Sequence, residues 1–323
     1  MVKAIRIHEH GGPDVLRVED VEVGRPGPGQ ALVRHHAIGL NFIDTYQRSG
    51  LYPQPLPFTP GSEGAGDVLA VGEGVTEVRV GDRVAYGTAL GAYAEQRLIA
   101  ADKLVVLPDD IAYETGAVMM LKGLTAEYLL HDSFAVKPGQ IVLVHAAAGA
   151  VGLILCQWAK AIGATVIGTV GTPDKGELAR HHGADHVIFY RTEDVAARVA
   201  EITGGRKCHV VYDGVGQATL DASLNSLRPR GTLVSFGSAS GPVTGFDLYV
   251  LAQKGSLYVT RPTLATFAGT RPDLLAMTDK LFGVLRGGKV KIEVANRFPL
   301  SEAAAAHRAL EGRETAGATV LLA

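Results

Sequence analysis

The sequence predicts an α/β protein of two domains, a β-barrel followed by a doubly wound sheet of parallel strands. Three observations carry this. From Met1 to about Leu121 the apolar residues come in short, often alternating runs broken by glycine and proline, whereas from Lys122 strands and amphipathic helices alternate. A glycine-rich turn, "HAAAGAVG" (His145 to Gly152), sits between the apolar run "QIVLVHA" and the helical-period stretch "LILCQWAKAIGA". And 323 residues are long for one domain but comfortable for two.

In the first half, "VKAIRI", "ALVRHHAIGL", "GDVLAVG", "GDRVAYG" and "DKLVVLP" read as strands of a mainly antiparallel, partly open barrel. "VGRPGPGQ" and "YPQPLPFTPG" read as loops, because proline cannot donate to a central ladder. In the second half "IVLV" is a continuous apolar strand, as expected when helices cover both sheet faces. Val151, Ile154, Leu155, Trp158 and Ile162 then recur at helical spacing until Gly163. "TVIGTV" is the second strand; Thr172 caps the next helix, with Pro173 at its first position and Gly183 past its end.

"HVIFY", "HVVYDGV", "GTLVSFG" and "GSLYVT" complete six strands, with helices at "TEDVAARVAEITGG" and "QATLDASLNSL". After Thr260 a helix near Asp273 to Leu285, "VKIEVANRFPL", an alanine-rich helix and the strand "GATVLLA" repeat the vocabulary of the first half. The expected domains are therefore 1–121 completed by 261–323, and 122–260.

Hydrophobic residues make up 47% and charged residues 20%, an ordinary globular balance. A net charge of −2 gives no broad attraction for nucleic acid or anionic lipid. Cys156 and Cys208 lie in apolar or regular stretches and read as buried thiols. The N-terminus lacks the apolar core of a signal peptide, and no apolar run reaches bilayer length, so a cytoplasmic location is expected.

A dinucleotide turn needs small residues in three places, for the tight turn, for backbone approach to the diphosphate and for helix–strand packing. Here they are Ala147, Gly149 and Gly152, and Ala150 and Val151 open the helix whose amides face the anion. At the end of the second strand, where an NAD-binding turn usually carries an acid for the ribose 2′-hydroxyl, the chain has Gly171, then Thr172 and Lys175. Losing the carboxylate removes repulsion of a 2′-phosphate, Lys175 can pair with it, and Tyr190 can add a hydroxyl. The other reading makes Lys175 a solvated first-turn residue. A lysine there opposes the helix dipole, so an adjacent anion helps explain it, and NADPH is the expected cofactor.

This organisation resembles the medium-chain dehydrogenase/reductase family over essentially the whole chain, through "GSEGAGDVLAVGEGV", "GDRV" and "AAAGAVG". More narrowly, "AIGLNFIDTYQRSGLYP", "LKGLTAEYLL", "YDGVG" and "KGSLYVTRP" resemble the zinc-free, zeta-crystallin-like NADPH:quinone oxidoreductases. The resemblance implies a GroES-like catalytic barrel, a Rossmann cofactor domain, a quinone substrate and a homodimer; pairing of the "GSLYVT" edge strand with its copy is the geometry expected for that dimer. Zinc-dependent members carry cysteine and histidine where this chain has Asn41 and Ser62, and a four-cysteine lobe that is absent here. Only Glu63 of the usual ligand set remains. His8 and His10, His35 and His36, and His181 and His182 have no partner at ligand spacing, so no metal is expected.

A simple ketone needs an acid or metal to stabilise developing alkoxide, whereas a quinone disperses incoming charge through its own conjugation. By resemblance Asn41, Phe42, Tyr46 and Tyr128 line the nicotinamide end, Gly237, Ser238 and Ser240 pass beneath it, and Arg313 reaches the cofactor. Asn41, Tyr46 and Tyr52 are the candidate catalytic set, the two tyrosines by contact with substrate; packing is the other reading of both. Asp44 is expected to make a structural hydrogen bond. Two rivals stand beside the quinone reductase. One is an NADPH-dependent reductase of conjugated C=C bonds with Tyr46 as proton donor, the other a low-turnover NADPH-binding sensor or RNA-binding protein.

Overall fold

The computed structural model describes all 323 residues. Two compact units emerge: residues 1–124, 268–278 and 292–323 form the first, and residues 125–267 and 279–291 the second.

In the first unit, strand Gln30–Gly39 organises the sheet. One edge pairs antiparallel with Glu63–Val71 along almost its whole length, through two register irregularities. The other edge is divided, with residues 30–34 bonding Gln96–Ala100 and residues 37–39 bonding the C-terminal strand Ala318–Leu322. One strand thus holds three partners, which curls the sheet toward a barrel; the irregularity near His35 supplies the bend. The core inside includes Ile5, Ile7, Val33, Ile38, Tyr86, Tyr93, Leu104 and Leu321.

Two helices of the first half were not anticipated from the sequence. Helix Phe42–Ser49 starts at Asn41, in extended backbone, and stops at Gly50, whose φ of 84° suits glycine alone. Helix Tyr113–Tyr128 is apolar almost all round: Ala117, Val118, Met119, Met120 and Leu124 are fully buried. A helix buried on every side has no stripe to read. The strand Gln96–Ala100 was also not anticipated; its residues alternate weakly, and only Ile99 is buried.

In the second unit the parallel sheet runs His186–Phe189, Thr165–Val170, Ile141–Val144, Cys208–Asp213, Leu227–Ser235, Tyr258–Thr260. That is strand order 3-2-1-4-5-6, whose reversal beside the first strand leaves a crevice at the strands' carboxyl ends. Ile141, Val142, Leu143 and Val144 are all buried, as a strand covered on both faces requires.

The tail expected to return whole with the barrel is instead divided. Residues 261–267 and 279–291 cluster with the parallel sheet, the boundary falling inside helix Arg271–Arg286. Arg271 at its start donates to the carbonyls of Asp102 and Leu104 in the first unit, and Lys280 bonds Glu127 in the second. Both cysteines are buried free thiols, and no helix is long and apolar enough to cross a membrane.

Candidate functional site

The glycine-rich turn follows strand Ile141–Val144 and leads into helix Ala150–Ile162. Gly149 is the N-cap and no side chain caps the helix, so the first amides, those of Ala150, Val151 and Gly152, have no intrahelical acceptor. The turn reverses at Ala146, whose φ of 51° is left-handed, a conformation that costs a non-glycine residue about 1–2 kcal/mol. A Cβ on Gly152 would lie 2.3 Å from the Ala146 oxygen, so only glycine lets the helix pack this close.

Alanine at the first fingerprint place has its own explanation. Ala147 keeps a negative φ and donates its N–H to the Thr169 carbonyl at 3.0 Å. Its methyl fits because the neighbouring strand carries Gly168; a Cβ there would come within 2.7 Å of the Ala147 Cβ. The bulk missing from strand two is the bulk added to the turn.

Beneath the turn lies a buried polar chain. Asp213 Oδ2 accepts from Ser223 and Thr219 hydroxyls, each at 2.7 Å, and Ser223 Oγ meets His145 Nε2 at 3.0 Å. His145 Nδ1 lies 3.0 Å from the Thr169 hydroxyl, and burial holds the ring's pKa below the ordinary histidine value. Asp213 Oδ1 takes the amides of Val215 and Gly216. This network pins three strand ends, and the sequence reading missed it because its members are dispersed over 78 positions.

At the end of strand two, a Cβ on Gly171 would lie 2.7 Å from Tyr190 Oη and 3.3 Å from Arg191 Nε. Gly171 therefore stands among Tyr190 and Arg191, with Thr172 capping the next helix by accepting from the Lys175 amide at 3.5 Å. Arg191 escaped the sequence reading; its signal is a basic residue directly after strand three. The cluster sets a guanidinium and a phenol where a dinucleotide's adenosine ribose lies in this fold, which fits a phosphorylated ribose.

Ser240 holds loop against loop: its hydroxyl donates to the Val215 carbonyl at 2.9 Å and accepts the Ala218 amide at 3.0 Å. That hydroxyl is committed within the protein, and Ser240 offers its neighbourhood backbone in place of a side-chain contact. Ser238, after Gly237, is buried and receives Arg261 Nη2 at 3.3 Å. Tyr128 stacks on Phe267, centroids 4.5 Å apart and rings nearly parallel; burial pushes its phenol up to about 12.

In the first unit the structure gathers Asn41, Phe42, Tyr46 and Tyr52. Tyr46 lies edge-on to Tyr52 at 5.3 Å and tilted to Phe42 at 6.3 Å, and the Tyr52 amide bonds the Tyr46 carbonyl at 3.0 Å. Tyr46 is buried and Tyr52 half-buried, so Tyr46 is engaged in packing while Tyr52 keeps part of its ring exposed. Arg313 stands apart on an exposed turn, at a left-handed φ of 58°.

Around Asn41 sit two buried carboxylates. Asp44 Oδ2 accepts the Asn41 amide and the Tyr93 hydroxyl, both at 2.9 Å, the structural bonding expected of it. Burial raises Asp44 to about 7, against the hydrogen bonds from Asn41 and Tyr93 and the charge of Lys122, which lower it. Glu63 is saturated: Oε1 takes the Leu121 amide at 2.8 Å, and Oε2 takes Lys122 Nζ at 2.7 Å and Asn41 Nδ2 at 3.0 Å. A carboxylate already paired with an ammonium and flanked by Asn41 and Ser62, with no thiolate or imidazole converging, does not fit a zinc ion.

Comparison with known proteins agrees with both units. Residues 27–136 match the family described as an alcohol dehydrogenase GroES-like domain, and residues 150–279 one described as a zinc-binding dehydrogenase. The chain is 57% identical to a quinone oxidoreductase of Pseudomonas aeruginosa, over 100% of both chains. It is 47% identical to a 2-haloacrylate reductase of a Burkholderia species, over 100% of this chain and 99% of that one. The crystal structure of Escherichia coli quinone oxidoreductase in complex with NADPH superposes with a TM-score of 0.98 at 50% identity, covering 99% of this chain and 100% of that one. The zinc-binding description does not extend to the donors present around Glu63. With sequence, fold and donor set in agreement, the chain belongs to the zinc-free quinone oxidoreductases of the medium-chain dehydrogenase/reductase family.

Proposed function

We propose that this protein is a zinc-independent NADPH:quinone oxidoreductase, catalysing quinone + NADPH + H⁺ → hydroquinone + NADP⁺. The observation that carries the cofactor is Gly171: the place of an NAD-selecting carboxylate is filled by the Tyr190 hydroxyl, beside Arg191 and near Lys175 in sequence. Bound NADPH supplies the reducing equivalents. The amides of Ala150, Val151 and Gly152 hold its diphosphate, and Lys175, Tyr190 and Arg191 hold its 2′-phosphate.

Within the second unit Tyr128, Gly237 and Ser238 are assigned to the nicotinamide, with Ser240 bracing the loop; within the first, Asn41 and Phe42 are assigned to the cofactor. Arg313 is assigned to the cofactor as well. Tyr46 and Tyr52 form an aromatic wall for a flat acceptor. No residue is required to polarise the acceptor strongly, because a quinone carries its own electron sink.

The 2-haloacrylate reductase among the relatives favours one second reading, reduction of an activated C=C bond, with Tyr46 as the hydroxyl nearest that role. Steady-state assays with 1,4-naphthoquinone, a benzoquinone and an enal, each with NADPH and with NADH, test both. A higher kcat/KM for quinones with NADPH supports the first; preference for the enal overturns it, and NADPH binding without turnover of any acceptor leaves a sensor.

The assembly we propose is a homodimer, with edge strand Tyr258–Thr260 meeting its copy. On that strand Tyr258 and Val259 are 61% and 41% exposed, an apolar edge left open to pairing. A cytoplasmic location accords with two buried, unbridged thiols.

A further inference from the structure

We propose that Lys122 and Glu63 are positioning residues for this reaction, acting through Asn41. The proposal rests on the quinone-reductase reading and adds to it a residue pair that the reading does not use.

Asn41 is the N-cap of the helix that carries Tyr46. Its side-chain nitrogen donates to Glu63 Oε2 at 3.0 Å and to the Gly39 carbonyl at 3.2 Å, so both amide hydrogens are committed inside the protein. A carboxylate only accepts; the amide therefore cannot turn over without setting its oxygen against the Glu63 charge. The direction of the Asn41 side chain is dictated by Glu63.

Glu63 is fully buried and pairs there with Lys122 Nζ at 2.7 Å, the lysine itself only 4% exposed along its side chain. Lys122 reaches it because helix Tyr113–Tyr128 lies close against the barrel. A Cβ on Gly39 would sit 2.2 Å from the Ala117 carbonyl and 2.5 Å from Glu63 Oε2. The charged groups facing Asn41 are thus Glu63 and Lys122 on one side and Asp44 on the other.

As a stability device, a buried ion pair is a poor choice, since apolar replacement of both partners is often neutral or stabilising. What an apolar pair cannot do is give Asn41 one orientation. The pair preserves a charge-directed, buried amide at the start of the helix that carries Tyr46, without adding net charge to the site.

The test is a mutant cycle with the full-length protein. Lys122→Met/Glu63→Gln removes both charges at nearly constant volume, and Glu63→Asp keeps the charge but withdraws it by one methylene. Folding is read by thermal unfolding, NADPH affinity by fluorescence titration, and kcat and KM with 1,4-naphthoquinone by NADPH absorbance.

Both variants should bind NADPH within about twofold of wild type while kcat falls roughly 10- to 100-fold, the scale of a misplaced group. Adding Asn41→Ala to either should cause no further loss, although alone it costs a similar factor. Folded variants that keep wild-type kcat, or an Asn41→Ala loss that multiplies with theirs, overturn the proposal. Should the double variant not fold, Glu63→Asp alone decides by the same criteria. A wild type that prefers an enal would sink the parent reading instead; the same ratios measured with that acceptor still judge the positioning role.

Discussion

Tyr190 Oη stands 2.7 Å from where a Cβ of residue 171 would be, so the two residues share one small volume. On the reading proposed above, that competition is what selects the cofactor. Lys175→Ala should weaken NADPH binding by about 1.5–3 kcal/mol, the range for hydrogen bonds to charged groups, and barely change NADH. Arg191→Ala should act in the same direction. Gly171→Asp must displace Tyr190 and should invert the preference. Titration with both cofactors checks all three, and equal losses for NADPH and NADH would remove the cluster as discriminator.

The Ala147–Gly168 pair predicts a compensating exchange. Gly168→Ala alone brings two methyl carbons to 2.7 Å and should destabilise by about 1–3 kcal/mol, as overpacking does. Ala147→Gly should recover most of the loss in the double variant. Urea unfolding of the four proteins measures the coupling; additive effects would mean that the two positions do not meet.

Asp44 predicts a pH dependence of stability. Burial is the largest cause of its rise from 3.8 to about 7, so the folded chain binds more protons than the unfolded one between those values. Its contribution is then fully present below about 4 and is lost as pH rises through 7. His307, which faces Tyr93 Oη at 3.1 Å, is lowered by burial to about 3 and works in the opposite direction, destabilising as pH falls below 6.5. The stability difference between wild type and Asp44→Asn should therefore shrink from pH 4 to pH 8. A difference independent of pH would show that this carboxyl ionises normally.

The exposed edge strand predicts that Val259→Lys, with Tyr258→Lys if one charge is insufficient, converts a dimer to monomers in analytical ultracentrifugation. Cofactor affinity should survive, because the amides proposed to hold the diphosphate open helix Ala150–Ile162 and not the edge strand. A wild-type monomer at micromolar concentration would refute the assembly.

Much of the second unit was legible because its signals are local. Continuous apolar strands, the helical period from Val151, and Thr172 and Gly163 as caps all act within a few residues of themselves. The barrel was less legible. Helix Tyr113–Tyr128 has no polar face to set a period, and the divided edge of Gln30–Gly39 depends on strands from Gln96 and Ala318. Missing acid and metal ligands at Gly171, Asn41 and Ser62 were visible as letters. What occupies their places was not.

The amino-acid order alone determined two domains, the diphosphate turn and the absence of an NAD-type acid, since each rests on periodicity or on residues adjacent in the chain. Only the tertiary structure decided that Gly168 makes room for Ala147, that Arg191 joins Tyr190 at Gly171, and that Lys122 meets Glu63 across 59 positions. The reason is physical: steric exclusion and buried charge pairing act over a few ångströms of space, and sequence separation says nothing about which side chains will share them.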